Sequence, residues 1–304
     1  MDFQQILNRI EAEVQQIQDR GKAADYIPAL AHQDLMQFGM ALHTVDGEDY
    51  QVGQAETRFS IQSIAKVFTL SMAMQRFDEK VWERVGKEPS GTGFNSLVQL
   101  EYEEGIPRNP FMNAGAIVIT DMICHQPEQT KNEILAFVRK ISGNPAISYD
   151  LKVAQSEKDT GYRNVALANF IKSYGNLKHE PCDVLDVYYH QCALEMNCKD
   201  LSKACIFLAH QGYSTICQEQ ILSLRQSKRM NSQLSTSGLY DAAGDFAYRV
   251  GLPGKSGVGG GIIAVIPGKL AISVWSPGLN SSGNSKIGLK ALELFTTYTG
   301  ISVF

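Results

Sequence analysis

The chain has no run of about 18 consecutive apolar residues, so no membrane-spanning helix is expected. Its start, Met1-Asp2-Phe3-Gln4-Gln5-Ile6-Leu7, carries an acid and no basic stretch ahead of an apolar segment, so no secretory leader is expected. Positive charge is not in excess. The 28 Lys and Arg face 32 Asp and Glu, a formal charge of −4, which excludes a general basic surface for nucleic acid. Metal patterns are missing too. The cysteines (Cys124, Cys182, Cys192, Cys198, Cys205, Cys217) form no C-x-x-C. The histidines (His32, His43, His125, His179, His190, His210) form no H-x-x-x-H or H-x-E. These absences predict buried, reduced thiols in a cytoplasmic protein with no metal and no cofactor. Internal repeats and low-complexity segments are also absent.

What is present is an ordinary globular composition, 44% apolar and 20% charged over 304 residues. That length suggests about two domains of roughly 150 residues each. A chain of this size buries roughly 75% of its unfolded surface, enough for a core without staples.

Phe3, Ile6, Leu7, Ile10, Val14 and Ile17 recur at helical spacing, and Gly21 marks a stop. Gln37–Thr44 and Asp49–Gln54 flank Asp46-Gly47, a hairpin signature. Phe59–Arg76 reads as a helix, with Ile61, Ile64, Ala65, Phe68 and Met72 on one face. From about residue 80 to 233 the pattern is helical, over Ala114–Cys124, Lys131–Ile141, Arg163–Tyr174, Asp183–Leu194, Asp200–His210 and Gln218–Met230, with few strand-like runs. Tyr240–Val250 reads as a helix, Ile262–Pro267 and Leu270–Trp275 as strands, and Lys286–Tyr298 as a closing amphipathic helix. Strands at both ends with helices between predict an α+β fold. Its antiparallel sheet domain would comprise residues 1–67 and 235–304, flanked by the terminal helices, with residues 68–234 as an inserted all-helical domain.

The sharpest local feature is Ser63-Ile64-Ala65-Lys66 at the start of a predicted helix. Spacing i to i+3 puts both side chains on one face, one turn apart. A helix N-terminus favours an alkoxide and a neutral amine, and a serine needs such an adjacent base to act as a nucleophile. The same motif also occurs as a cap followed by a solvated lysine. A second element, Lys255-Ser256-Gly257, precedes the strand pair and resembles the K-[TS]-G of penicillin-binding proteins and serine β-lactamases, in which that strand faces the S-x-x-K helix.

The surrounding stretches resemble another family of that fold, the serine-dependent glutaminases in their compact bacterial form. The matching segments are Asp25-Tyr26-Ile27-Pro28, Ser60 to Lys66, Asn109 to Ile117, Ser156-Glu157 with Arg163-Asn164, Leu185 to Tyr188, Gly238 to Asp241 and Gly251 to Val258, all in family order. Two positions depart from the pattern. Gly254 stands where Ala is usual, and Gly259 where Ser often follows the valine.

The resemblance implies a β-lactamase-like fold and hydrolysis of L-glutamine to L-glutamate and ammonia. It implies a glutamine site of Tyr26, Gln62, Ser63, Asn113, Glu157, Asn164, Tyr188, Tyr240 and Val258. It also implies assembly as a homodimer or homotetramer.

These residue types suit the substrate. Glu157 can pair the ammonium through a charge-assisted bond. Asn113, Asn164, Gln62 and Tyr26 offer neutral donors for the α-carboxylate. Taken singly, each has a plainer reading: Glu157 a solvated charge, Asn113 a helix cap, Asn164 a cap or loop partner, Tyr26 and Tyr188 half-buried packing aromatics. In the expected reaction Ser63 is acylated and the oxyanion sits between the N–H groups of Ser63 and Val258. Lys66, its pKa lowered by desolvation and by a nearby Lys255 ammonium, takes the serine proton, and Tyr240 shuttles a proton. Tyr240 as a phenolate is the other candidate base. Two alternatives compete: a β-lactamase or D,D-peptidase, whose Y-x-N element Tyr174-Gly175-Asn176 resembles, and a non-catalytic glutamine-binding protein. The plainer reading of that tripeptide is a helix C-terminus.

Overall fold

A computed structural model describes residues 1–90 and 97–304. The first helix, α1 (Phe3–Gln15), starts where Asp2 accepts a hydrogen bond from the Gln5 amide at 3.0 Å, and it buries Leu7, Ile10 and Val14. The expected hairpin follows as β1 (Gly39–Thr44) and β2 (Asp49–Gly53), turning at Gly47 with φ +91°. After β3 (Phe59–Ser60), a 3-10 turn over Gln62–Ile64 leads into α2 (Ala65–Phe77).

Then come α3 (Val81–Arg84), α4 (Leu97–Tyr102), α5 (Asn113–Ile123), α6 (Pro127–Ser142), β4 (Ser148–Tyr149), α7 (Leu151–Thr160), α8 (Tyr162–Ser173) and α9 (Pro181–Cys192). These are followed by β5 (Leu194–Met196), α10 (Cys198–Ala204), α11 (Ile206–Ala209), β6 (Tyr213–Ser214), β7 (Glu219–Gln220) and α12 (Leu224–Ser237). A 3-10 turn over Tyr240–Ala242 opens the last section, which runs through α13 (Ala243–Arg249), β8 (Gly254–Ser256), β9 (Gly261–Ile266), β10 (Leu270–Trp275) and α14 (Lys286–Thr299).

Among the described residues the main sheet has the order β2-β1-β10-β9-β8 and is antiparallel throughout. Strand periodicity explains its two buried faces. Ile262, Ala264, Ile266, Leu270, Ile272 and Val274 pack with Met40 and Leu42 beneath α1 and α14. The alternate residues Ile263, Val265, Ala271 and Trp275 join Ala41 in the larger core shared with the central helices. Continuous apolar runs in these strands reflect that double burial. The expected α+β class, with terminal helices on an antiparallel sheet, is what the chain adopts.

Several expectations need correction. Phe59–Arg76 is not one helix, since β3 and the 3-10 turn occupy its start. The helix expected over Gln218–Met230 begins later, at Leu224, because Ser223 and Gln226 form a capping box there. Helix α7 was not foreseen, although Asp150 caps it by accepting from the Lys152 and Val153 amides at 2.9 and 3.1 Å. Among the cysteines, all free, Cys182 is exposed and Cys217 half-buried.

Candidate active site

Ser63 lies on the 3-10 turn, not yet in the α-helix. The turn is held from two sides. On one, Ile61 donates its amide to Leu194 O at 2.9 Å, and Ser60 Oγ donates to Cys192 O at 2.9 Å. On the other runs the Gly-rich segment after β8. A Cβ on Gly257 would lie 2.3 Å from Ile61 O, and one on Gly259 only 2.0 Å from Ser60 O. Glycine therefore lets the Lys255-Ser256-Gly257 strand press against the serine turn. Two non-glycine residues here adopt left-handed backbone, Gln62 at φ +50° and Tyr240 at φ +56°. Such strain persists only where surrounding structure holds it, and it clusters at functional sites.

Lys66 follows Ser63 in the first turn of α2 and is 1% exposed. Its Nζ donates to Asn113 Oδ1 at 2.7 Å and to Phe111 O at 3.1 Å. Burial lowers its pKa to about 8, against the opposing pull of the Glu157 charge. Lys255 is fully buried, donates to Ser256 O at 2.7 Å, and lies 4.1 Å from the Tyr240 ring centroid. The expected charge relation is reversed. Burial, not a Lys255 ammonium, lowers Lys66, while burial and then the Lys66 charge hold Lys255 well below the usual lysine range.

Tyr240 is hydrogen-bonded to Ser63, and burial raises its phenol pKa, so the neutral phenol is the resting form. Lys66 Nζ lies 5.6 Å from its ring centroid. Neither the Ser63 nor the Val258 amide donates to a carbonyl or side chain among the described residues.

Helices α7, α8 and α9 supply the other wall. Glu157, in the last turns of α7, is buried, and burial pushes its pKa up to about 7 despite the Lys66 charge and a hydrogen bond from Gln62. The Gln62 amide also donates to Ser60 Oγ at 3.0 Å. Gly161 joins α7 to α8, and Tyr189 Oη donates to its carbonyl at 3.3 Å. Asn164 Oδ1 accepts from Asn113 Nδ2 at 3.1 Å. Asn113 is not the cap of α5. Met112 occupies that position, and Asn113 instead bridges Lys66 to Asn164. On α9, Tyr188 and Cys192 are buried one helical turn apart and hydrogen-bonded to each other.

A cavity of about 570 Å³ opens between these walls, and Tyr26, Gln62, Ser63, Asn113, Glu157, Asn164, Tyr188, Tyr240 and Val258 all line it. Tyr26 is not half-buried but 55% exposed, at the cavity's rim. Lys66 and Lys255 are absent from the lining and are buried. Ile27, Thr160, Gly161, Tyr162, Arg163 and Cys192 also line the cavity and were not anticipated. Cys192 could have been found, since it stands four residues after Tyr188 on one helix face. Arg163 directly precedes Asn164.

The Y-x-N tripeptide lies elsewhere. Gly175 has φ +75° just after α8, and Asn176 Nδ2 donates to Arg84 O at 2.9 Å and Gly105 O at 3.0 Å. It is a helix stop and a loop clamp. No residue pattern of metal-ligand type, three or more His, Cys, Asp or Glu together, occurs among the described residues.

Residues 21–304 match the family described as Glutaminase. The chain belongs to the glutaminase family. A Rhizobium johnstonii glutaminase is 54% identical over 305 residues, covering 100% of this chain and 99% of its own. The solved probable glutaminase ybaS superposes with a TM-score of 0.95 at 35% identity, covering 99% of this chain and 97% of that one. Mglu, solved in its glutamate form, gives a TM-score of 0.93 at 32% identity over 99% of this chain and 70% of its own. The family's structures have the serine β-lactamase-like fold, so the expected architecture holds. The chain is thus an enzyme of the glutaminase class, not a penicillin-interacting relative of the same fold.

Proposed function

We propose that this glutaminase hydrolyses the carboxamide of L-glutamine to L-glutamate and ammonia through a glutamyl ester on Ser63. One observation carries the reading. Ser63 stands on the cavity wall, and the amine one turn further on is buried, with its hydrogens committed to Asn113 and Phe111. A neutral amine so bound keeps its lone pair for a proton.

In this account Glu157 pairs the substrate ammonium. The approaching cation returns its pKa from about 7 towards the ordinary carboxylate range. Gln62 aims Glu157 with its amide hydrogen rather than binding substrate directly. Asn113, Asn164 and Tyr26 orient the α-carboxylate, and Tyr188 forms the inner wall. Ser63 Oγ attacks the carboxamide carbon as Lys66 takes its proton. The free amides of Ser63 and Val258 receive the oxyanion, each such donor being worth about 3 kcal/mol at the transition state. Tyr240 relays a proton to the departing nitrogen, and Lys255 sits behind the Tyr240 ring as part of this buried amine pair. Ammonia leaves, and water cleaves the ester by the reverse proton movements. No step calls for a metal or an organic cofactor.

A coupled glutamate assay tests the reading. Ser63→Ala should lose essentially all turnover while still binding glutamine. Tight glutamine binding without turnover in the unaltered protein would favour a sensor instead. The family resemblance also supports a homodimer or homotetramer, and the six free cysteines support a reducing, cytoplasmic setting. Light scattering after size exclusion should return the mass of two or four chains.

A further inference from the structure

We propose that Ser60, which lies outside the substrate cavity, sets the selectivity for an α-amino group: its hydroxyl fixes which way the Gln62 amide points, and through Gln62 it aims Glu157 at the substrate ammonium. Ser60 is in this sense a positioning residue. The inference rests on the reading above, in which Glu157 pairs that ammonium. Ser60 ends β3, is 4% exposed, and is not among the residues that line the cavity. Its strand pairs with β5, where Ser60 stands opposite Glu195, and its hydroxyl meets the C-terminal end of α9.

The direction of every hydrogen bond in this chain follows from its fixed end. Cys192 is the last residue of α9, so its carbonyl lies beyond the helix's own amides, and a carbonyl can only accept. The single Ser60 hydroxyl proton therefore goes to Cys192 O, at 2.9 Å. That leaves Ser60 Oγ as an acceptor, and Gln62 Nε2 donates to it at 3.0 Å. The other Nε2 hydrogen remains for the Glu157 carboxylate, to which the Gln62 side chain is hydrogen-bonded. A flipped amide would turn Oε1 towards both partners. It would set a carbonyl against a carboxylate, and against a hydroxyl whose proton is already committed. Swinging that proton round to Oε1 would leave the Cys192 carbonyl without its donor. Gln62 is 2% exposed and has left-handed backbone at φ +50°, so one orientation of its amide satisfies all three neighbours. Without the Ser60 hydroxyl the amide can turn over, and Glu157 loses the donor that holds its carboxylate in place.

The test measures, by calorimetry on the full-length enzyme, the binding of L-glutamate and of glutarate, the same diacid without the amino group. The pH is 8, above the Glu157 pKa of about 7. The unaltered enzyme should prefer glutamate. Ser60→Ala should lower that preference roughly five- to tenfold, the size of one charge-assisted contact poorly aimed, with glutarate affinity little changed. KM for glutamine should rise by more than kcat falls. Ser60→Thr, which keeps a hydroxyl, should restore the preference. In a Glu157→Gln background, Ser60→Ala should cost no further preference, because the two residues act as one unit. An undiminished preference in Ser60→Ala would overturn the proposal. So would a Ser60→Thr variant of unaltered Tm that is no better than Ser60→Ala. Equal loss of both ligands, or an alanine variant that fails to fold, would make Ser60 a structural residue only and overturn it as well. No preference for glutamate in the unaltered enzyme would overturn the assignment of Glu157 to the ammonium, and this proposal with it.

Discussion

Lys66 has two acceptors, Asn113 Oδ1 and Phe111 O, and a neutral amine has two hydrogens to give them. An ammonium would carry a third N–H without an acceptor among the described residues. Burial and geometry therefore favour the same protonation state. Glu157 must lose a proton at about 7 and Lys66 at about 8 for the free enzyme to be competent. We expect kcat/KM to rise across this interval and level off above it, since that ratio reports free-enzyme groups. Asn113→Asp would set a carboxylate against the amine and should move the acid limb about one unit higher. An unmoved limb would mean Lys66 is not the titrating base.

Glu157 also has a stability signature. Its folded pKa lies above its unfolded value of 4.5, so the protonated acid is tolerated below that value and the ionised form costs stability above pH 7. Glu157→Gln should therefore stabilise the fold at pH 8 by on the order of 1–3 kcal/mol, a rise of a few degrees in Tm. The gain should vanish near pH 4, while glutamine turnover is lost at every pH. A lower Tm at pH 8 would contradict the charge state assigned here.

At the scale of elements, the site depends on how closely the strand run after β8 meets the serine turn. A Cβ at position 259 would lie 2.0 Å from Ser60 O, and the Gly259 carbonyl accepts from Trp275 Nε1 at 3.0 Å. Gly259→Ala cannot be absorbed by a flexible side chain. It should push the turn away from Val258, lowering kcat more than tenfold and stability by about 1–3 kcal/mol. Ser in place of this glycine would likewise need a different approach of the two segments. A crystal structure of the Ser variant with an unchanged turn would disprove the packing argument.

The same scale shows what could be read from the sequence. The strands β1, β9 and β10 and the helices α1 and α14 declare themselves by periodicity, and Asp46-Gly47 by turn chemistry. Ser63, Lys66 and Lys255 follow from motif order, and their neighbours from resemblance. Helix α7 was hidden because its apolar face is thin: only Val153, Ala154 and Glu157 are buried, and Asp150 was its one strong signal. The start of α12 is set by the Ser223–Gln226 capping box and not by apolar periodicity, which runs on ahead of it. The role of Asn113 was out of reach, since its partners come from positions 66 and 164 and only folding brings them together.

Across the whole molecule, the two larger of the three apolar clusters meet at the sheet. The larger core takes residues from β1, β9 and β10 as well as from the central helices, so sheet and helices share one continuous apolar cluster. Unfolding should be one cooperative event. The two tryptophans report on this, Trp82 from α3 and Trp275 from β10, where it stacks on Phe59 at 5.1 Å. Fluorescence of Trp82→Phe should give the same Tm as far-UV circular dichroism of that variant. Separated midpoints would mean the helical block melts by itself. The most direct test of the chemistry is intact-protein mass spectrometry of turnovers quenched in acid within milliseconds. The account predicts a species heavier by one glutamyl group, localised to Ser63 by peptide mapping and missing in Ser63→Ala. Full turnover by Ser63→Ala, with no acylated species in either protein, would contradict it.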